Sequence, residues 1–389
     1  MCSLFYPDAS ASVTIRFDKR NTFSLAALQA ALKLAGIKTH FSSSPQDGLM
    51  IYSLATPQAT EVYREIADSS TKSIYVAGGP HPTAKHEEAL NYFDCVVLGE
   101  GEQTLPELVT VIRRGGDVRS VRGIAYKRGG RPHVTSPRTH VKLDEFPPFE
   151  TNLRSPIEIS RGCPHNCKYC QTPRIFGRKM RHRSVESVIF YSKYLTEIRF
   201  TSPNAFAYGS NGLCVQPSKV TRLLRSLQGN VYFGTFPSEV RPEFVTHELL
   251  QLVNDTCANT SIHIGAQSGS DTVLREVDRG HTRLDVELAL DVCRDNGVTP
   301  VVDFIFGLPT ETASDQFESL DLIDEIVKKK GRVRAHYFTP LPGTPYEKEI
   351  PVPISTEVNK RLGKLARVGH LSGRWESSKK GKPFKTDTT

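Results

Sequence analysis

Short apolar runs alternate with amphipathic stretches through the first 125 residues of the chain. Runs of apolar and β-branched residues predict strands, and stretches with apolar residues every three or four positions predict helices. Strands are predicted at residues 12–17, 48–54, 73–77 and 95–98, and helices at residues 24–34, 57–68, 83–91 and 105–114. Buried strands separated by helices indicate a parallel sheet with helices on both faces.

A second pattern of the same kind begins at residue 157. Strands are predicted at residues 157–160, 197–201, 231–235, 261–265, 301–306 and 334–338, and helices begin near Ser184, Ser218, Pro242, Asp271, Thr282 and Ala313. Six strand–helix repeats are too few for a closed eight-stranded barrel, so we expect an open, partial barrel. Its active face would lie at the carboxyl ends of the strands.

The segment between the two patterns is rich in glycine, proline and charge. A hairpin is predicted around residues 128–131, and the prolines at 147 and 148 resist both helix and central strand. The sequence therefore predicts an α/β protein in four parts. These are a Rossmann-like domain (residues 1–125), a linker (126–154), a partial (β/α)6 barrel of the TIM type (155–346) and a short C-terminal extension (347–389).

Composition and charge narrow the class of protein. The chain is 38% hydrophobic and 24% charged, which is typical of a soluble globular protein. No apolar run approaches the roughly 18 residues that a membrane span needs, and no signal peptide is recognisable, so we expect a cytoplasmic protein without a membrane partner. A good part of the net charge of +8 sits in short local runs, and the sequence shows no long basic helix and no ladder of interleaved aromatic residues. An anionic cofactor or a protein partner fits such a basic surface as well as RNA does, so the charge alone does not predict nucleic acid as a partner.

Three of the eight cysteines are organised. Cys163, Cys167 and Cys170 follow the first strand of the second pattern with three and two residues between them. Three thiolates are the right number for a 4Fe–4S cluster with one open iron, and an open iron can chelate a small molecule. The alternative is zinc with a fourth ligand such as His165, but a structural zinc site usually takes two ligand pairs and no second pair lies nearby.

Three turns follow predicted strands of the first sheet, and two of them, at residues 78–81 and 99–102, are rich in glycine. Ligands of such sheets bind beyond the carboxyl ends of the strands, and glycine lets the backbone approach a flat or bulky ligand closely. Ordinary tight turns are the alternative for any one of them. The candidate binding residues of these turns are Ser53, Leu54, Thr56, Gly78, Gly79, His81, Gly99, Glu100, Gly101 and Glu102.

The cysteine loop and the segments that follow it, over about residues 155–346, resemble the radical S-adenosylmethionine (SAM) superfamily. The resemblance implies that the open iron binds SAM. At residues 201–205 the family's usual Gly-Gly-Glu is replaced by Thr-Ser-Pro-Asn-Ala, which is a departure from the pattern. The resemblance implies SAM contacts by Tyr169, Ser202, Asn204, Ser238, Glu239, Arg241, Gln267, Ser268, Phe306 and Leu308.

The first domain resembles the cobalamin-binding domain that precedes many radical SAM domains, and its glycine turns match the turns that face the corrin ring. The family's cobalt-ligating pattern Asp-x-His-x-x-Gly is absent, so the resemblance implies no histidine ligand to cobalt from this domain. Together the two domains imply a 4Fe–4S cluster, SAM and cobalamin (as methylcobalamin). They also imply transfer of a methyl group to an unactivated carbon from which a SAM-derived radical has removed hydrogen.

Two short segments, residues 16–21 and 373–376, resemble an archaeal subgroup of this family. Its members include the enzyme that C-methylates a glutamine of methyl-coenzyme M reductase, an enzyme of methanogenesis. The resemblance implies post-translational methylation of an sp3 carbon in a peptide. The implied partners are the α subunit of that reductase and an electron donor.

Three other functions compete with methylation. A methylthiotransferase shares the pattern of residues 267–282, but such enzymes carry a second cysteine trio in the N-terminal domain and a C-terminal RNA-binding barrel. Here the first domain holds only Cys2 and Cys95, and about 43 residues follow the predicted barrel. A radical SAM/cobalamin cyclase or rearrangement enzyme acting on a small molecule stays open, as does a non-enzymatic corrinoid or iron–sulfur carrier.

Overall fold

The computed structural model describes residues 13–376, which fall into two units. Unit 1 comprises residues 13–164, 170–232 and 341–344, and unit 2 comprises residues 165–169, 233–340 and 345–376. Predictions that fall on residues 1–12 and 377–389, including the outer ends of the first domain and of the C-terminal extension, lie outside the described residues.

Unit 1 begins with a seven-stranded sheet in the order β2-β1-β3-β4-β5-β6-β7. Strands β1 to β5 are parallel, and β6 and β7 add an antiparallel hairpin at one edge. The four predicted strands and the hairpin are confirmed. The edge strand β2 was not predicted, because only one of its four residues is apolar. The strands are β1 Val13–Arg16, β2 Thr39–Ser42, β3 Gly48–Ser53, β4 Ser73–Gly78, β5 Cys95–Val97, β6 Ile124–Arg128 and β7 Arg131–Val134.

Five helices accompany this sheet, and two differ from the predictions. The helix predicted at 83–91 is two short helices, because Lys85 leaves the helical conformation (φ −124°, ψ 44°). The helix predicted at 105–114 begins four residues earlier, at Gly101, so Glu102 lies in its first turn. The helices are α1 Thr22–Leu34, α2 Ala59–Ala67, α3 Pro80–Ala84, α4 His86–Ala89 and α5 Gly101–Arg113.

Side-chain alternation along β3 gives the sheet two separate cores. Leu49 and Ile51 point into a cluster with residues of α1 and α5. Met50 and Tyr52 point into the opposite cluster, which includes residues of α2. Because successive side chains of a strand face opposite sides, a strand with apolar residues at every position is stable only when both faces are covered. The predicted parallel sheet with helices on both faces is confirmed.

The rest of unit 1 contains short strands that pair locally. β8 pairs with β12 and β11 with β13, both parallel, whereas β9 and β10 are antiparallel. The predicted strands at 157–160 and 197–201 are each interrupted by one residue. The elements are β8 Ile157–Glu158, β9 Ser160–Arg161, α6 Thr172–Phe176, β10 Arg181–His182, α7 Val185–Ser192, β11 Glu197–Ile198, β12 Phe200–Thr201, α8 Pro217–Arg225 and β13 Asn230–Val231.

Unit 2 contains a four-stranded parallel sheet in the order β14-β15-β16-β17. The predicted strands at 261–265, 301–306 and 334–338 are β14 to β16. None of the helices in residues 13–376 is long and apolar enough to cross a membrane. The elements are α9 His247–Thr256, β14 Ser261–Gln267, α10 Asp271–Glu276, α11 Arg283–Asp295, β15 Thr299–Phe306, α12 Ala313–Lys328, β16 Arg332–Tyr337, α13 Thr356–Arg367 and β17 Leu371–Arg374.

Strand β17 lies in the C-terminal extension, for which no element was predicted. Leu371 is its only apolar residue, so the sequence carries no strand pattern there. Gly373 has φ +103°, and a Cβ at this position would collide with the carbonyl oxygen of Ala335 on β16. The close pairing of β16 and β17 therefore depends on a glycine and on partners that are distant in sequence.

Two helices in unit 2 test the predicted helix starts. The N–H of Thr282 donates to the Asp285 carboxylate (2.7 Å), and the N–H of Asp285 donates to the Thr282 hydroxyl, so the predicted cap of α11 is confirmed. The prediction that a helix begins at Pro242 is wrong. Pro242–Phe244 is a single 3-10 turn, and α9 begins only after Thr246, whose hydroxyl accepts a hydrogen bond from Leu249 N–H.

Candidate functional site

The cysteine loop leaves β9 through a glycine that no other residue replaces easily. Gly162 has φ +86°, and a Cβ there would collide with the carbonyl oxygen of Lys179. The next residue, Cys163, donates its backbone N–H to the carbonyl oxygen of Gly177 at 3.1 Å. The start of the loop is therefore fixed by backbone contacts within unit 1.

Cys167 belongs to unit 2 and lies beside a guanidinium group. Nη1 of Arg279 is 3.9 Å from the Cys167 sulfur, and Nη2 of Arg279 donates to the carbonyl oxygen of Gly265 at 2.7 Å. The N–H of Lys168 donates to the carbonyl oxygen of Val277. Arg279 thus places a positive charge beside one of the three predicted cluster ligands.

The three cysteines fit a thiolate-ligated cluster by their chemistry. None of Cys163, Cys167 and Cys170 forms a disulfide; Cys167 is buried, and the other two are partly exposed. In residues 13–376 no group of three or more His, Cys, Asp or Glu side chains is arranged to hold a single metal ion. Their assignment as ligands of the cluster stays a prediction.

A cavity of about 270 Å³ lies in unit 1 at the carboxyl ends of β3, β4 and β5. Apolar side chains of α1, among them Phe23 and Leu28, form part of its wall, and no sequence pattern predicted them. Seven of the ten predicted cobalamin-binding residues line this cavity: Ser53, Gly78, Gly79, Gly99, Glu100, Gly101 and Glu102.

The other three predicted cobalamin-binding residues do not line the cavity. Leu54 packs into the core cluster on the other side of the sheet. The His81 ring is buried, with Nε2 3.1 Å from the Tyr63 hydroxyl and Nδ1 3.4 Å from the Thr56 hydroxyl. Burial lowers the pKa of His81, so the ring is neutral at physiological pH. Both His81 and Thr56 thus have partners within the protein.

A buried ionic cluster lies at the same cavity, and the sequence did not predict it. Nη2 of Arg161 is 2.5 Å from the Glu102 carboxylate and 2.6 Å from that of Glu158. Glu100 pairs with Arg181 and accepts a hydrogen bond from the N–H of Val141 at 2.7 Å. Burial alone would raise the pKa of Glu102, but the Arg161 guanidinium outweighs it and the pKa is lowered.

Substituting Gly79 by alanine should lower the stability of the protein by about 1–3 kcal/mol. Gly79 has φ +98°, and a Cβ there would lie 2.7 Å from the carbonyl oxygen of Leu54 and 2.9 Å from its nitrogen. The neighbouring Gly78→Ala is the matched control, because its Cβ would make only ordinary contact with Val97 at 3.7 Å. Urea unfolding followed by circular dichroism measures both. Equal stability of the two variants would contradict the prediction.

Two predicted SAM contacts lie at the end of β14. Gln267 has φ +74° at a bulge of the strand, a conformation that costs a non-glycine residue about 1–3 kcal/mol and persists only where its surroundings enforce it. A Cβ on Gly265 would lie 2.6 Å from Nε2 of Gln267 and 2.9 Å from Nη2 of Arg279. The side chains of Gln267 and Arg279 therefore lie close to the backbone of Gly265, where there is no side chain. Ser268 is buried, and its hydroxyl accepts a hydrogen bond from Ser270 N–H at 3.1 Å.

The segment after Phe233 in unit 2 carries three more predicted SAM contacts. Ser238 is buried, and its hydroxyl has no hydrogen-bond partner among the described residues. Burial, together with repulsion from Asp303, raises the pKa of Glu239 to about 7. Arg241 donates to the Glu243 carboxylate and to the carbonyl oxygen of Arg279, both at 2.5 Å. Ser238 and Glu239 thus keep capacity for a ligand, and Arg241 holds the segment in place.

The remaining predicted SAM contacts are spread over both units. In unit 1, Ser202 accepts a hydrogen bond from the N–H of Asn204 at 3.3 Å in the turn after β12. In unit 2, Leu308 packs into an apolar cluster with Tyr169 against it, and the fully buried Phe306 ring stacks on Phe304. The role of each in SAM binding stays a prediction.

Comparisons with known proteins match two stretches of the chain to protein-family models. Residues 157–323 match the model of the radical SAM superfamily, and residues 47–109 match that of the B12 binding domain. A putative methylthiotransferase of Methanocaldococcus jannaschii is 28% identical over 283 residues, 68% of this chain and 60% of that protein. An uncharacterized methyltransferase of Pyrococcus horikoshii is 26% identical over 305 residues, 72% of this chain and 64% of that protein. The chain thus spans less than two thirds of either relative.

A solved structure shares the fold. It is the radical SAM methyltransferase TsrM of Kitasatospora setae, determined with cobalamin and a 4Fe–4S cluster bound. The TM-score is 0.65 at 16% sequence identity, with 87% of this chain and 75% of that chain covered.

The chain therefore carries a B12-binding domain followed by a radical SAM domain. The predicted α/β fold and the predicted order of the two domains are confirmed. The radical SAM domain implies a 4Fe–4S cluster and SAM, and the B12-binding domain implies cobalamin, so the three predicted cofactors are confirmed as well.

Proposed function

We propose that this protein is a cobalamin-dependent radical SAM C-methyltransferase that acts on an unactivated sp3 carbon of a peptide residue. The observation that carries the proposal is the composition of the cavity in unit 1. Its wall contains Gly79 and Gly99 from the B12-binding part, and also Arg161 and Thr201 from the first strands of the radical SAM part. The region suited to cobalamin thus adjoins the strand that leads into the cysteine loop.

The residues of this cavity have separable tasks. Gly79 and Gly99 leave bare backbone where a corrin ring has to approach closely. Arg161 cross-links Glu102, at the start of α5, to Glu158 on β8, and lies two positions before Cys163. When bound, the cluster with SAM supplies radical chemistry and cobalamin supplies the methyl group, while the protein aligns them with the substrate.

For the substrate we propose a glutamine in the α subunit of methyl-coenzyme M reductase, with a separate protein as electron donor. The support is the resemblance of residues 16–21 and 373–376 to the archaeal subgroup that acts on this glutamine. In this structure both segments are held by internal contacts: Asp18 accepts from Arg20 and Gln58, and the Trp375 indole N–H donates to Asn359 at 2.9 Å.

Methylthiotransferase activity is a second candidate, because a putative methylthiotransferase is among the relatives. The cysteines of the N-terminal part argue against methylthiotransferase activity. Of the two cysteines in residues 1–154, Cys95 is fully buried in the core of the sheet and cannot ligate an exposed second cluster. A radical SAM/cobalamin cyclase is a further alternative, and identification of the reaction product distinguishes it from a methyltransferase.

Anaerobic incubation of the reconstituted holoenzyme with SAM, a reductant and a peptide that contains the reductase glutamine tests the proposal. We expect mass spectrometry to show a peptide heavier by one methyl group on a carbon of the glutamine, with formation of 5′-deoxyadenosine. The same incubation without cobalamin is the control and should leave the peptide unmethylated. A product with added sulfur, or none from any peptide, would contradict the proposed function.

A further inference from the structure

The parallel sheet of unit 2 has one apolar face and one polar face. Val302 and Phe304 on β15 and Ala335 on β16 are fully buried on the apolar face. Because side chains alternate along a strand, the residues between them point to the opposite side. We call this side the polar face and define it by His263 on β14, Asp303 on β15, and Arg334 and His336 on β16.

Arg334 is held on the polar face by neighbours on two strands and one loop. Asp303, which pairs with Arg334 across the two strands, is buried, and its Oδ1 lies 3.2 Å from Nε of Arg334. Nη1 of Arg334 is 3.1 Å from Nδ1 of His263, and the guanidinium lies 5.2 Å from the centre of the Phe236 ring. An arginine fixed on several sides loses little conformational entropy when it binds a ligand.

The same arginine faces an open side. Phe236 is 54% exposed, the His336 side chain is 43% exposed, and the Arg334 side chain keeps 22% of its surface accessible. An exposed aromatic ring beside an oriented guanidinium is a combination that recognition sites use, because the ring packs on carbon and the guanidinium donates hydrogen bonds. Neither the Phe236 ring nor the Arg334 guanidinium is needed for packing on the apolar face of the sheet, which lies on the other side.

Local charge selects the kind of group that Arg334 can receive. The single guanidinium stands beside two carboxyl groups, since Asp303 contacts its Nε and Oε1 of Glu239 lies 3.9 Å from its Nη1. A carboxylate on the ligand would be repelled by Asp303 and by the ionised fraction of Glu239, and a cation cannot accept a hydrogen bond from the guanidinium. A neutral carboxamide oxygen accepts a hydrogen bond from Arg334 without either penalty.

The polar face also borders the predicted SAM site. Glu239 is one of the predicted SAM contacts, and a Cβ on Gly265 would lie 3.6 Å from its Oε2. A group held by Arg334 would thus lie next to the segment assigned to SAM, which is where a substrate has to lie for hydrogen removal.

We propose that Arg334 donates hydrogen bonds to the carboxamide oxygen of the substrate residue, with Phe236 against its carbon chain and Asp303 as the positioning residue of Arg334. The proposal rests on the proposed function and adds the chemistry of the substrate group, a neutral amide. None of these three residues was a candidate from the sequence.

Steady-state methylation of the glutamine peptide by Arg334→Gln and Arg334→Lys tests it. We expect KM to rise roughly 10- to 100-fold for Arg334→Gln, as for the loss of a hydrogen bond from a charged donor, and less for Arg334→Lys. The iron content, the cobalamin content and the far-UV circular dichroism of the variants should match the wild type, which shows that the variants fold and bind their cofactors. Arg332→Gln is the control, because Arg332 is an exposed arginine at the start of the same strand.

A second arm varies the substrate. The wild type should discriminate against a peptide with glutamate in place of glutamine, and Asp303→Asn should weaken that discrimination, because it removes one of the two repelling acids. Unchanged KM in Arg334→Gln, the same rise in Arg332→Gln, or a preference for glutamate would overturn the inference while the proposed function stands. A wild type that forms 5′-deoxyadenosine but methylates no peptide would overturn both.

Discussion

Replacing Cys163 by alanine should reduce the formation of 5′-deoxyadenosine from SAM by more than roughly 100-fold. Losing only a residue that hydrogen-bonds to a metal ligand already reduces activity by up to about 100-fold, and Cys163 is predicted to be a ligand itself. The loop that carries Cys163 is fixed by Gly162 and by the hydrogen bond to Gly177, so no neighbouring residue can take over the position. The measurement is anaerobic turnover with SAM and reductant, combined with the iron content and the visible absorption of the reconstituted protein. Cys167→Ala and Cys170→Ala should behave alike.

Cys214→Ala is the matched control for these variants. Cys214 is an exposed free cysteine outside the trio, so its loss should leave iron content and turnover unchanged. A Cys163→Ala protein with full iron content and wild-type turnover would refute the assignment of the trio to the cluster. The alternative of a structural zinc would show as stoichiometric zinc, with no iron–sulfur absorption in protein prepared without cobalamin.

Replacing Arg161 by methionine should destabilise the protein by about 3–5 kcal/mol, the usual cost of removing one partner from a buried ion pair. The side chain of Arg161 is 9% exposed, and its guanidinium lies between Glu102 and Glu158. Methionine fills much of the same volume but leaves the two carboxylates without their cation. Urea unfolding at pH 7 measures the loss, and we also expect weaker retention of cobalamin, because these side chains line the cavity.

The destabilisation should depend on pH. In the wild type the lowered pKa of Glu102 contributes stability above its ordinary value of 4.5, and this contribution is lost as the pH falls below it. Without Arg161, burial raises the pKa of Glu102 instead, so the variant loses stability as the pH rises. The difference between the two proteins should thus be largest near pH 7 and should shrink toward pH 4.

Arg222→Met provides the comparison, because Arg222 forms an ion pair with Glu186 at 2.6 Å in which both side chains are more than half exposed. Such surface pairs contribute about 0–1 kcal/mol, so this variant should unfold close to the wild type at every pH. Equal effects of the two substitutions would show that the cluster around Arg161 does not hold the cavity together.

Local patterns sufficed for the elements that depend on local chemistry. The apolar run at β3 predicts a buried strand because each of its apolar residues from Leu49 to Tyr52 is covered by one core or the other. Thr282 and Asp285 predict the start of α11 because the cap is made by residues three positions apart. In contrast, β17 could not be predicted, because its stability comes from pairing with β16 and from a glycine that lets two backbones approach.

The candidate site divides in the same way. The sequence by itself determined the cysteine trio and the glycine turns, since the chemistry of a cluster ligand or of bare backbone is visible in residue type and spacing. Only the tertiary structure decided that Glu102 pairs with Arg161, that His81 points into the core and that Asp303 fixes Arg334. Burial and charge pairing arise between residues distant in the sequence, so they set roles that no local pattern carries.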